Sequence, residues 1–508
     1  MSGYILILLV FALAWAVVYL ICDSELLAPP SLMLIAFILA VGLSMPVLNT
    51  WNEVQLSESA IACFVIMAVG IIAGAVLSRA FFSSWSTRGR SQVLVERFSL
   101  ALVSLGCKRW IALAAVLIVG IAVYTNELVH LADLGGMGSS DYFAKARWVR
   151  EHYNVTFSIE SIGSGVGFSG LASRLQQIIM LSGYVGALAL AACLWRRSPA
   201  KTYLGPSAIM LIACCFDVLK GARGDIVHYV LAIIIALFAF RMSESKNKAA
   251  VSARFIAVGA ALLAAVMVFF FIGGTVLRGT AANPIDYISF YFGCGVPSLS
   301  YVLDFPISNE EYIGVTTFSQ LYISLYKYGI VESAQANAAN FVSLGPFQSN
   351  VFTACYRYFA DFGYMGIFVF GTLSTVIMSA FYNALKRPRH MSILIFALFA
   401  LTHAADVIRD DFIFASLLSP TLVWYVLEVA LIVAILTFGN PKFRCNVDDC
   451  FWCEAMLRGD VSGGMNASLS RLNLCDIDDL QGRRSEDRFG YCCESMGWED
   501  MERCRRIV

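Results

Sequence analysis

An all-α polytopic integral membrane protein is the fold class this sequence predicts, on three observations. Charged residues are 14% of the chain and apolar residues 59%, whereas water-soluble domains carry about a quarter charged residues; the mean hydropathy is +0.72. The apolar residues gather into eleven runs, each near the ~20 residues that cross a bilayer. Connections between the runs are alternately rich and poor in Lys and Arg, the pattern that positive-inside topology requires. The zero net charge averages a sparse membrane body with a charge-dense tail, so it implies no attraction to nucleic acid.

The first run, 3–22, is long enough to span and has no Lys or Arg before it. It reads as a retained anchor with its N-terminus outside, not a cleavable signal. Further spans are predicted at 31–49, 59–81, 109–131, 177–195, 202–219, 225–241, 254–277, 363–383, 390–408 and 420–438. Arg88, Arg90, Arg97, Lys108 and Arg109 mark the third connection as cytoplasmic. Arg196, Arg197 and Lys201 mark the fifth, Arg241, Lys246, Lys248 and Arg254 the seventh, and Lys386, Arg387 and Arg389 the ninth. The first connection, Asp23-Ser24-Glu25, is assigned inside without a basic residue of its own.

The even connections then lie outside, and two are long: about 132–176 and 279–362. Loops of that length in a compact membrane protein are usually functional. Within the second, Phe318, Leu321, Tyr322, Leu325 and Tyr326 recur at helical spacing. That stripe suits a helix lying at the membrane interface or one packing on the bundle. No internal repeat is visible, which weakens a transporter reading.

Arg223, in Lys220-Gly-Ala-Arg223-Gly-Asp225, and Arg278, in Leu277-Arg278-Gly279, fall on the outer side, against the charge bias. Cations kept there point to an anionic ligand, and the leading candidate is the pyrophosphate of a lipid-linked sugar. The competing reading is that they snorkel to lipid headgroups. The densest polar stretch of the outer loops runs Asn350-Val351-Phe352-Thr353, then Tyr356-Arg357-Tyr358, then Asp361-Phe362-Gly363 and Gly366. Asn350, Arg357 and Asp361, at i, i+7 and i+11, are predicted on one face of a helix running into the ninth span.

This stretch resembles the Wzy-type bacterial repeat-unit polymerases of O-antigen and capsule, with Lys220–Asp225 and Arg278-Gly279 as supporting features. The resemblance covers residues 1–440 in layout, and its specific residues lie between 217 and 411. It implies a metal-independent, GT-C-like glycosyltransferase of the bacterial inner membrane that needs no cofactor. Its substrate would be an undecaprenyl-pyrophosphate-linked oligosaccharide, joined to a growing chain on the periplasmic face. A chain-length regulator and a flippase would be pathway partners, and membrane lipid its surroundings.

A glycosyl pyrophosphate carries a good leaving group, so the site needs positive charge where negative charge develops. Arg suits this through its planar fork and permanent charge. Arg223 and Arg278 are the first candidates, followed by Arg357 and Arg409, with Lys220 nearby in sequence; Asn350 and Tyr356 are candidates for the sugar. For a base at the acceptor hydroxyl, His403, Asp406 and Asp410 fall at i, i+3 and i+7, predicted on one face of the tenth span. The alternative is a packing histidine bonded to Asp406. Asp361 is the competing base, and Asp217 is expected to pair with Lys220.

From Gly439 onward the texture changes to a charged tail, 440–508. Its seven cysteines include Cys450-x-x-Cys453 but no matching second pair and no histidine, a poor zinc pattern. The tail reads as a disordered or aberrant extension, and Asp476-Ile-Asp478 within it as a decoy on the wrong side. A flippase or other transporter, and the related O-antigen ligase, are the competing functions.

Overall fold

The computed structural model describes residues 1–51, 54–83, 98–149, 168–220, 224–244, 259, 283–304, 312–332, 342–345, 347–386 and 390–437. Arg223, Arg278, the tail and, apart from Gly259, the expected span 254–277 lie outside the described residues.

In chain order the helices are α1 (Ser2–Ile21), α2 (Pro29–Ser44), α3 (Glu58–Ser83), α4 (Cys107–Leu134), the short α5 (Tyr142–Val149), α6 (Gly170–Arg196), α7 (Leu204–Leu219) and α8 (Gly224–Glu244). The second long loop contains α9 (Pro284–Gly293), α10 (Gly295–Asp304), α11 (Ser319–Lys327) and a hairpin of β1 (Val342–Leu344) and β2 (Phe347–Ser349). Then follow α12 (Ala354–Lys386), α13 (Met391–Thr402) and α14 (Thr421–Thr437).

Among the described residues nine helices are long and apolar enough to cross a membrane: α1–α4, α6–α8, α12, and α13 with its 3₁₀ continuation to Ile408. They match nine of the eleven expected spans. The last expected span is the 17-residue α14, apolar but shorter. Leu9, Leu13 and Leu20 of α1, Ile118 and Val119 of α4, and Val423, Leu427 and Leu431 of α14 face outward, the surface a lipid solvent requires. The chain is an all-α polytopic membrane protein.

Helices meet where small residues let backbones approach. A Cβ on Gly74 of α3 would lie 2.5 Å from Thr375 Cβ and 2.7 Å from the Thr372 carbonyl of α12, and one on Gly70 would lie 3.0 Å from the Phe368 carbonyl. α1, α2 and α3 are locked by Phe11 stacked on Phe37 at 4.6 Å, with Phe64 edge-on to both at 6.0 Å.

Connections assigned to the same side come together. At one end Asp23 pairs with Arg79 at 3.3 Å, Glu25 pairs with Lys386, and Arg196 Nε donates to Ser99 Oγ at 2.8 Å. The first connection, which lacks a cation of its own, thus borrows two from the chain near the basic connections. At the other end Ser57 N donates to Ser300 Oγ at 2.7 Å, and Tyr142 OH donates to the Leu219 carbonyl at 3.2 Å. There Trp51, Cys294, Val302 and Leu344 share one buried cluster. Gly345, with φ +58, closes the hairpin so near the Thr50 carbonyl that a Cβ would lie 2.0 Å from it. The described parts of the second long loop therefore fold as a cap on this end.

Two sequence expectations are corrected here. Asn350 is not on the Arg357 helix face, because that helix begins at Ala354 and Asn350 is an exposed residue just after β2. The helix also does not run straight into the ninth span: Gly363, at φ 61 and ψ −155, bends it in a region essentially reserved for glycine. Of the two expectations for the 318–326 stripe, packing on the bundle holds for Phe318, which lies edge-on to Phe370 and Phe414 at 5.8 and 6.0 Å.

Candidate functional site

α13 ends at Thr402, and residues His403–Ile408 continue as a 3₁₀ helix. Three residues per turn superpose i and i+3, so His403 Nδ1 meets Asp406 Oδ2 at 2.6 Å. Asp410 does not share this face. The tighter winding breaks the i+7 register that an α-helix would keep, and Asp410 instead pairs with Arg357. The His403 ring is held flat against Phe412, with centroids 3.9 Å apart, and edge-on to Phe399 at 5.0 Å.

The other oxygen of Asp406 belongs to a residue that sequence reading missed. His228, in the second turn of α8, brings Nε2 to 3.2 Å from Asp406 Oδ1, and its ring lies 4.3 Å from that of His403. Its Nδ1 faces Asp225 Oδ1 at 3.9 Å. Asp225 sits in the first turn of α8, where the helix dipole favours an acid. Lys220 Nζ closes the chain, at 2.7 Å from Asp225 Oδ2 and 2.9 Å from Asp217 Oδ1; the second contact is the pairing expected from sequence. Burial alone would lower the Lys220 amine, but Asp225 and Asp217 outweigh it and hold the amine above the ordinary lysine range. Acid and base thus alternate from Asp217 through Lys220, Asp225, His228 and Asp406 to His403. The i, i+3 spacing of Asp225 and His228 was the one available signal for this half of the cluster.

Arg409 follows directly. Its guanidinium lies over the Tyr291 ring of α9, 5.2 Å from the centroid, a cation–π geometry. Among the described residues its buried Nε has no hydrogen-bond partner, and no carboxylate lies within ion-pair distance of it. The position a Cβ would take on Gly224 is 3.8 Å from its Nη1.

Arg357 is in a different situation. Nε and Nη2 both engage the Asp410 carboxylate, the latter at 2.8 Å, while Nη1 donates to the Thr316 carbonyl at 2.7 Å and to Ser319 Oγ at 3.3 Å. Asp361, one turn along, accepts from Thr316 N at 3.3 Å and Thr317 N at 2.5 Å. Both side chains bind the 316–319 segment of the cap to α12. Tyr356 is half-buried, its ring 5.0 Å from Phe352.

The site therefore unites His403, Asp406, Lys220 and Arg409, adds His228 and Asp225, and leaves Arg357 and Asp361 in a separate brace. His228, His403 and Asp406 present ligand atoms within 4.8 Å of one another, a set that a transition metal could use. Comparison with protein-family models, curated proteins and solved structures gives no match.

Proposed function

We propose that this chain is a membrane glycosyltransferase that joins oligosaccharide units carried on lipid pyrophosphate, a repeat-unit polymerase working at the capped end of the bundle. The observation that carries the reading is a partly buried arginine, Arg409, with no carboxylate among the described residues within ion-pair distance, directly after a segment bearing a histidine–carboxylate pair. A cation in such a place, without a paired carboxylate among the described residues, has a use for an anion. A histidine oriented by a carboxylate can take a proton from a hydroxyl.

In this reading Asp406 holds His403 Nδ1–H, leaving the Nε2 lone pair for the acceptor hydroxyl. As that oxygen bonds to the anomeric carbon, the bond from carbon to pyrophosphate breaks. Its electron pair leaves on the phosphate, where Arg409 stabilises the growing charge. Arg223 and Arg278 are proposed to share that task. Lys220, committed to Asp217 and Asp225, holds the site together, and Arg357, committed to Asp410, braces the cap beside it.

The test is Arg409→Ala, with Arg223→Ala and Arg278→Ala beside it, in cells whose polymer length is read on gels. Each is expected to remove long polymer at normal protein abundance, while single lipid-linked units still reach the outer face. One lost contact to developing charge corresponds to about 10²–10³ in rate. Wild-type chain lengths from Arg409→Ala would overturn the reading. A transporter of the same lipids is the second reading, favoured by the buried ionisable series linking α7, α8 and α13; its variants would trap units on the cytoplasmic face. A ligase would still make polymer and fail to attach it to its final acceptor.

A further inference from the structure

We propose that the cap segment 312–330 is an interfacial element, lying in the lipid headgroup layer at the capped end with Ile313, Tyr328 and Ile330 inserted among the lipids. This placement is independent of the reaction the chain carries out.

The depth of the segment follows from α12. The membrane-spanning part of that helix begins after the bend at Gly363, and Met365, Val369 and Leu373 form an exposed apolar strip along it. Phe318, at the start of α11, lies edge-on to Phe370 at 5.8 Å and to Phe414 at 6.0 Å. Phe370 stands roughly 10 Å along the helix beyond Gly363, at a rise of about 1.5 Å per residue. The segment therefore packs beside the first turns of a spanning helix, not beyond its end. Gly314 meets α12 where the lipid-facing strip begins: a Cβ on it would lie 3.4 Å from the Phe362 ring. Arg357, through the Thr316 carbonyl, and Asp361, through the Thr316 and Thr317 amides, fix the segment at that depth. Its outward surface adjoins lipid-facing side chains, so the occupant at this level is the bilayer itself.

That outward surface is apolar and ordered. Ile313, Tyr328 and Ile330 are 81%, 75% and 66% exposed. Tyr322 OH donates to the Ile313 carbonyl at 2.8 Å, while its ring stacks on Tyr312 at 5.9 Å. α11 closes at Gly329, whose φ is +68. There Gly329 N donates to the Tyr326 carbonyl and Ile330 N to the Leu325 carbonyl, both at 2.9 Å. This left-handed glycine stop holds Ile330 outside the bundle. Apolar side chains fixed in this way gain by leaving water. The tyrosines and the exposed Lys327 suit the headgroup level. There a phenol hydroxyl and an ammonium reach water and phosphate while the rest of each side chain stays in apolar surroundings.

The experiment uses the full chain in liposomes of phosphatidylethanolamine and phosphatidylglycerol. The photoreactive residue p-benzoylphenylalanine replaces Ile313, Tyr328 or Ile330, one at a time, at positions exposed enough to accept it. After irradiation, mass spectrometry of the peptides identifies what each position has captured. Lipid adducts are expected at all three, at the yield obtained with the probe at Met365 on the lipid-facing strip. That yield is expected to be several-fold above the one at Gln348, which is exposed on β2 of the cap hairpin. Yields at the Gln348 level, while Met365 captures lipid, place the segment in water and overturn the proposal. Chain-to-chain adducts in place of lipid adducts make the surface a contact between copies and overturn it as well. The same variants are irradiated in intact cells, where lipid capture is again expected. Capture of another protein there, at the expense of lipid, overturns the bilayer as occupant.

Discussion

Arg357 grips Asp410 with two guanidinium nitrogens while its third binds the Thr316 carbonyl, so one side chain of α12 ties the cap to the segment after the 3₁₀ helix. The ends of this contact differ in exposure: the Arg357 side chain is 9% exposed and that of Asp410 53%. Losing the arginine strands buried acceptors, whereas losing the acid exposes one end of a cation to water. Arg357→Ala should therefore destabilise the fold by ~1.5–3 kcal/mol, the range for hydrogen bonds to a charged group, and Asp410→Asn by less. Thermal unfolding in detergent measures both. Equal midpoints for Arg357→Ala and wild type would remove the brace from the account.

Gly363 turns the chain between the Arg357 helix and the membrane-spanning part of α12. An alanine there must hold a backbone conformation that side chains resist, at a cost of roughly 1–3 kcal/mol. Nothing lies within 4 Å of the position its Cβ would take, so the effect is conformational and not steric. Gly363→Ala is expected to lower the unfolding temperature, and an unchanged value would show that the bend tolerates another geometry.

Sidedness can be read with reporter fusions. Fusions at Ser245 and Pro388 are expected to report cytoplasm, and those at Gly163 and Gly345 the outer side. Ser24 is the informative addition, because Asp23 and Glu25 pair with Arg79 and Lys386 at the end assigned inside. An outer reading at Ser24 would contradict those two ion pairs.

Truncation after Gly439 removes the charged tail and its seven cysteines. It should leave membrane abundance and polymer formation unchanged, because the tail follows the last apolar helix and differs from the body in texture. Loss of polymer at normal abundance would give the cysteines a role.

Hydropathy and Lys/Arg placement are local properties, and they were sufficient for the membrane class and, among the described residues, for nine helices long and apolar enough to span. Asp217 with Lys220 and His403 with Asp406 were legible for the same reason, each pair being one turn apart. Asp410, also drawn to His403 by sequence spacing, went to Arg357, 53 residues away, because the helix tightened to 3₁₀ at His403. His228 and Asp406 are 178 residues apart, and neither sequence neighbourhood names the other. A charge taken out of water must find an opposite charge, but which one it finds depends on which helix ends are packed side by side. Where charges sit along the chain could be read locally; only the packing of α8 against α13 brings two histidines to one carboxylate.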